Sequence, residues 1–289
     1  MSTTTSWCGP RTAGSSSPVS STSTPASSPP PSRSEEPAVT ELAAERWGDS
    51  GPPIVLVHGS LSSAAAAFSE QRVLAEKYRL IAPYRRGYSP SPSTDRIDPD
   101  RDAEEIVELL GDGAHLVGTS MGGVVSMRAA ALAPEKVWSL TVIEPPAMPN
   151  AAGRPEADKL IEGMRKHWAE HGSDDLESFA AGFLKTLNVS MDLPSPLPPP
   201  FAEAVGNLKT ERPWETGVPL EKLAAAGFPK LVVTGGGTPG FEDVADVLAE
   251  RLPAKRVRFD GSPHAVQKIG EKFNTELLDF LSSAGEHAK

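Results

Sequence analysis

His115-Leu116-Val117-Gly118-Thr119-Ser120-Met121-Gly122-Gly123-Val124-Val125 is the stretch on which the reading of this 289-residue chain turns. Its first residues form a short apolar, β-branched run, and a helix-compatible run begins at Val124 with no linker between them. A strand must therefore turn sharply into a helix at Ser120. That turn strains the central residue and lifts its hydroxyl above the sheet, and only small neighbours fit beside it, here Gly118 and Gly122. Ser120 also stands at a helix N-terminus, where free N–H groups and the helix dipole favour developing negative charge. The bland reading is a chance glycine-rich turn, and the strand-turn-helix context argues against it.

Outward from this elbow, short apolar runs alternate with helical patterns. Ile54–Val57, Arg79–Ala82, His115–Gly118, Ser139–Ile143, Lys230–Thr234 and Arg256–Phe259 are mostly too short for helices and too apolar for half-exposed strands. They read as buried parallel strands. Ala64–Lys77, Arg101–Leu110, Val124–Ala133, Phe241–Leu252 and Glu271–Leu281 read as helices between them, which implies βαβ crossovers. The alternation breaks from Pro145 to about Gly217. There Lys159–His171 and Leu176–Leu187 look helical, and a proline-rich connector runs from Leu193 to Pro200.

Composition sets the limits. Residues 1–34 hold 12 Ser, 6 Thr and 6 Pro and two charges, Arg11 and Arg33, so they are expected to be a disordered tail. They lack the pattern of a secretory signal. The whole chain carries a net charge of −10, and both tail charges are positive, so the body is more acidic still. That opposes a nucleic-acid partner, which needs clustered positive charge. No 18-residue apolar window suggests a membrane span. The single cysteine, Cys8, excludes an intrachain disulfide framework and a cysteine-based zinc site.

A serine hydroxyl needs a base. His264, in Gly261-Ser262-Pro263-His264 between the last strand and the last helix, is the best placed of six histidines. His167 and His171 lie in the helical excursion, His115 starts a strand and His287 is at the fringe. The turn His58-Gly59-Ser60-Leu61 follows the first buried strand and can supply an oxyanion-hole N–H from Ser60, with Leu61 second. Met121 supplies the other. His58 reads as a residue that holds the loop.

From Trp47 to Leu281 the chain resembles the α/β-hydrolase superfamily. The pieces come in that family's order: the His58-Gly59 turn, Tyr84-Arg85-Arg86-Gly87-Tyr88-Ser89, the elbow at Ser120, a helical excursion, then His264. Tyr84 stands where the family usually has Asp. The resemblance implies a mostly parallel central sheet with helices on both faces. It also implies a helical cap at 146–217, inserted after the strand ending at Ile143 (strand 6 of the family), with a core at 35–145 and 218–289. It further implies two or more antiparallel strands before Ile54, where only Val39–Trp47 is available.

The family's usual position for the triad acid follows Leu231–Thr234, and here reads Gly235-Gly236-Gly237-Thr238-Pro239-Gly240. The family's alternative position carries Glu144, and Pro145-Pro146 end its strand beside the elbow. Glu144 is the preferred acid, and Asp243 and Glu242 remain candidates. The resemblance implies a serine hydrolase acting on a carboxylic ester or lactone of a small, partly apolar substrate, without metal or organic cofactor, in the cytoplasm. Met164, Trp168, Phe179, Phe183, Leu184, Phe201 and Trp214 would line the pocket or pack the cap. C–C bond hydrolysis and acyl transfer use the same scaffold. A non-enzymatic receptor or a decayed homologue is the reading from another class. The Ser nucleophile disfavours halogenated and epoxide substrates, whose relatives use Asp.

Overall fold

The computed structural model describes residues 42–284, so the Ser/Thr/Pro-rich stretch at 1–34 and His287 lie outside the described residues. Seven strands form one sheet: β1 (Ala44–Trp47), β2 (Pro53–Val57), β3 (Arg79–Pro83), β4 (Ala114–Thr119), β5 (Val137–Ile143), β6 (Lys230–Thr234) and β7 (Lys255–Arg258). Their order is β1-β3-β2-β4-β5-β6-β7. β1 runs antiparallel to β3 and every other pairing is parallel. Among the described residues one antiparallel strand, Ala44–Trp47, precedes Ile54, and the rest of the stretch in which the family resemblance implies two or more lies outside the described residues.

The helices are α1 (Ala64–Ala67), α2 (Pro99–Leu109), α3 (Met121–Leu132), α4 (Pro155–His171), α5 (Leu176–Thr186), α6 (Pro199–Thr210), α7 (Leu220–Ala225), α8 (Pro239–Arg251) and α9 (Glu271–Ser283). Alternation along the strands divides the core in two. Val55 and Val57 pack with Ile106, Val124 and Leu248, whereas Ile54 and Leu56 pack with Phe68, Phe273 and Leu277. Successive side chains of a strand point to opposite faces, and both faces here are covered, which is why β2, β4 and β6 are buried along their whole length.

Two expectations are corrected. Ala64–Lys77 is not one helix: α1, capped by the Ser63 side chain, ends at Phe68, whose φ of −117° leaves the helical range. The Phe68 ring is fully buried, and 3₁₀ turns continue over Ser69–Glu76. The proline-rich stretch after Leu193 does not stay a connector, because Pro199 and Pro200 open α6. Proline fits the first helical turn, where its missing N–H would have no partner. Helices α4 to α7 all fall between β5 and β6. Among the described residues no helix is long and apolar enough to cross a membrane.

Candidate active site

The parallel register fixes where the site forms. Val57 aligns with Gly118, Thr119 with Ile143, and Ile143 with Val233. The next residues of these strands, His58, Ser120, Glu144 and the Gly235 region, therefore emerge along one edge. Two backbone bonds extend the ladder past its ends: Ser120 N–H donates to Ile143 C=O at 2.8 Å, and Glu144 N–H to Val233 C=O at 3.0 Å. This edge includes the point where the chain, having placed β3 on one side of β2, returns to place β4 on the other. Open α/β sheets bind ligands at such a point.

Two residues at this edge hold strained backbone conformations. Ser120 has φ 52° and ψ −128°, and Glu144 has φ 43°. Non-glycine residues rarely occupy this region, and the surroundings must enforce it. For Ser120 the enforcement is visible. A Cβ on Gly118 would lie 2.3 Å from Gly122 O, and one on Gly122 would lie 2.2 Å from Val57 O. The elbow is thus wedged against both its own helix and the end of β2.

Ser120, His264 and Glu144 form one chain of contacts. His264 Nε2 lies 3.0 Å from Ser120 Oγ, and His264 Nδ1 lies 2.5 Å from Glu144 Oε2. A carboxylate only accepts, so Nδ1 carries the ring proton and Nε2 is free to accept the serine hydroxyl. The other carboxylate oxygen, Glu144 Oε1, accepts the Gly235 N–H at 2.7 Å. Glu144 is buried, while the His264 side chain keeps 18% of its surface exposed. The Phe241 ring stacks on the imidazole, with centroids 4.7 Å apart.

The competing acids are engaged elsewhere. Asp243 Oδ2 accepts the N–H groups of Glu156 and Ala157 at the start of α4. Glu242 pairs with Arg256 at 2.6 Å. The glycine loop after β6 supplies no acid side chain, yet its Gly235 N–H holds Glu144 at the end of β5. Gly235 is pressed against the histidine loop, since a Cβ there would stand 2.6 Å from Ser262 O.

Gly59, next to Ser60, and Met121 adjoin Ser120. A Cβ on Gly59 would lie 2.9 Å from the Ser120 Cβ, so the turn after β2 touches the elbow. Met121 is the first residue of α3, where N–H groups have no intrahelical acceptor. Of the other histidines, His115 bonds Ser139 and His171 bonds Asp174. His167 bonds Phe179 C=O. The apolar residues expected at a pocket wall divide. Met164, Trp168, Phe179, Phe183 and Leu184 are buried, and Trp168 meets Phe179, Phe183 and Trp214 edge-on, packing the inserted helices together. Phe201 and Trp214 remain half-buried.

A buried polar network behind the Ser60 turn has no counterpart in the sequence reading. Arg85, fully buried, donates to Asp102 at 2.9 Å and to the Tyr88 hydroxyl at 3.1 Å, and lies 3.6 Å from Glu211. Burial works against the Arg85 charge, but Tyr88, Asp102 and Glu211 outweigh it and its pKa is raised. Burial pushes Asp102 up to about 6 against the pull of Arg85. Burial, with Arg85 close by, pushes His58 down to about 3, so its ring is neutral. It donates from Nδ1 to Gly59 C=O and accepts the Arg85 N–H at Nε2. The expected loop-holding role of His58 has this physical form.

A family profile described as the alpha/beta hydrolase fold matches residues 52–271. The chain belongs to the α/β-hydrolase fold family. Within it, the chain is 31% identical over 146 residues to a pimeloyl-[acyl-carrier protein] methyl ester esterase of Aeromonas hydrophila, covering 48% of this chain and 56% of the relative. The chain thus spans about half the length of that curated relative. An α/β hydrolase from Sphaerobacter thermophilus matches with a TM-score of 0.59 and 27% identity, over 83% of this chain and 95% of that one. An esterase from Thermogutta terrifontis shares the fold, with a TM-score of 0.58 and 21% identity over 84% and 93% of the two chains.

Proposed function

We propose that this α/β hydrolase is a serine esterase that cleaves small carboxylic esters, lactones among them as cyclic esters, through an acyl-enzyme. The observation that carries the reading is the continuous chain Glu144 Oε2, His264 Nδ1, His264 Nε2, Ser120 Oγ, at 2.5 and 3.0 Å. Ser120 Oγ attacks the carbonyl carbon while His264 Nε2 takes its proton. Glu144 keeps the imidazole in the required tautomer and stabilises its cation. The N–H groups of Ser60 and Met121 receive the oxyanion. When the tetrahedral intermediate collapses, His264 gives the proton to the departing alkoxide, and the alcohol leaves. His264 then takes a proton from water, hydroxide adds to the acyl carbon, and Ser120 departs with that proton restored.

The relative that hydrolyses a methyl ester of an acyl group supports the choice of bond, and the helices between β5 and β6 support a cap over the carboxyl edge of the sheet, with 35–145 and 218–289 as the core. Phe201 and Trp214 are the aromatic rings of that cap with surface left to offer a substrate. No step calls for a metal or an organic cofactor. A panel of p-nitrophenyl esters of increasing acyl length, with γ- and δ-lactones alongside, tests the proposal. Saturable turnover of short esters, abolished by Ser120→Ala, is expected. Absence of turnover across the panel by the folded protein would count against it.

A further inference from the structure

We infer that Glu211 is a positioning residue for the oxyanion hole, acting through the Ser60 hydroxyl; the inference rests on the esterase reading above. Glu211 follows α6, the third helix of the segment inserted between β5 and β6, and is 151 residues from Ser60 in sequence. Its carboxylate is buried and accepts the Ser60 Oγ–H at 2.6 Å. The same serine is held from the other side, since its C=O accepts the Tyr88 hydroxyl at 2.9 Å. Glu211 and Tyr88 are both anchored on the Arg85 guanidinium, which lies 4.9 Å from the Tyr88 ring centre. Glu211 and Met121 also line one cavity of about 190 Å³, so the carboxylate stands at the same end of the sheet as both proposed oxyanion donors.

A donor to an oxyanion is effective only when held in place before charge develops, because reorienting it during the reaction costs barrier height. The Ser60 N–H sits in a turn, the least constrained kind of backbone. Here the side chain of that one residue is fixed by a 2.6 Å hydrogen bond to the buried Glu211 carboxyl group, and its carbonyl by a phenol. Catalytic geometry in the core therefore depends on a carboxylate delivered by the inserted helices, and the seating of those helices is coupled to the readiness of the oxyanion hole.

The test compares wild type, Ser60→Ala, Glu211→Gln and the double variant with p-nitrophenyl acetate, and measures the rate at which a fluorophosphonate labels Ser120. Ser60→Ala keeps the backbone N–H and the Arg85–Glu211 pair. Each single variant is expected to lower kcat about tenfold with KM unchanged, well short of the ~10²–10³ lost when a whole oxyanion donor is deleted. The double variant is expected to be no slower than the slower single one, because both changes break the same link. Labelling rates should fall in parallel, since the phosphonyl oxygen occupies the same hole. Wild-type kcat in Ser60→Ala, or losses that multiply in the double variant, would overturn the inference. Should Glu211→Gln fail to fold, Ser60→Ala decides alone, a tenfold kcat loss supporting the link and wild-type kcat refuting it. A wild-type protein that is neither labelled nor active would refute the esterase reading itself.

Discussion

Replacing Glu144 by Gln keeps the shape of the side chain and removes one of its two acceptors. In the native arrangement both oxygens accept, one from the Gly235 N–H at 2.7 Å and the other from His264 Nδ1 at 2.5 Å. A Gln has one oxygen and one NH₂. With its oxygen toward Gly235, the NH₂ faces Nδ1, and the ring must move its proton to Nε2, where it can no longer accept the Ser120 hydroxyl. With the oxygen toward His264, the NH₂ confronts the Gly235 N–H, donor against donor, at a buried position. The first arrangement leaves the wrong tautomer, for which the loss in kcat is about 10⁴, or about 5.5 kcal/mol of barrier. The second costs stability, about 1–3 kcal/mol for buried unsatisfied donors. The assay is kcat for p-nitrophenyl acetate at fixed pH, with Tm measured on the same samples. A kcat within tenfold of wild type, in a protein of unchanged Tm, would refute the assignment of Glu144 as the group that orients His264.

Three further outcomes follow from other parts of the structure. His58 takes up a proton near pH 6.5 when unfolded but only near pH 3 when folded, so its contribution to stability is complete above pH 6.5 and falls as the pH drops through that window. At pH 5 the loss is about 2 kcal/mol. Asp102, raised to about 6, titrates in the opposing sense, so the measurement is the difference in urea-unfolding free energy between wild type and His58→Gln from pH 7 to pH 5, expected to narrow by that amount. A constant difference would contradict the neutral, buried ring. Gly122→Ala drives a Cβ to 2.2 Å from Val57 O, a backbone atom that cannot swing aside, and should depress Tm by more than 10 °C or prevent folding; an unchanged Tm would refute the wedge at the elbow. Asp243→Asn weakens the double acceptor at the start of α4 and should cost about 1 kcal/mol of stability with kcat within threefold of wild type. A kcat loss of a hundredfold or more would reinstate Asp243 as the acid.

The elbow was legible because its information is local. Gly118, Ser120 and Gly122 lie within five residues, and Gly118 is dictated by its contact with Gly122 O, although Gly122 itself is pressed against Val57 O on β2. His264 stood out by its loop between the last strand and the last helix, and Glu144 by the family's alternative acid position, with Pro145-Pro146 marking the end of its strand. Helix α6 was hidden by its own first residues, since Pro199-Pro200 suit a helix start and a connector equally well. The Arg85 network was illegible for a different reason. A buried guanidinium is tolerable only with counter-charges, and these come from Asp102, 17 residues on, and Glu211, from the inserted segment. Nothing in Tyr84-Arg85-Arg86-Gly87 says that both arginines go inside, Arg86 against Glu105 and Arg85 against Asp102 and Glu211. Likewise Glu211 has no local pattern around it, and its contact with Ser60 exists only once the chain is folded.

The central claim is that Ser120 is a nucleophile activated by His264. Incubating the protein with a fluorophosphonate and locating the adduct by mass spectrometry of proteolytic peptides tests it most directly. A single phosphonyl adduct on Ser120 is expected, formed in proportion to the loss of esterase activity, with a much slower reaction in His264→Ala. A folded wild-type protein with Ser120 unmodified under conditions that label other serine hydrolases, or an adduct forming equally fast without His264, would contradict it.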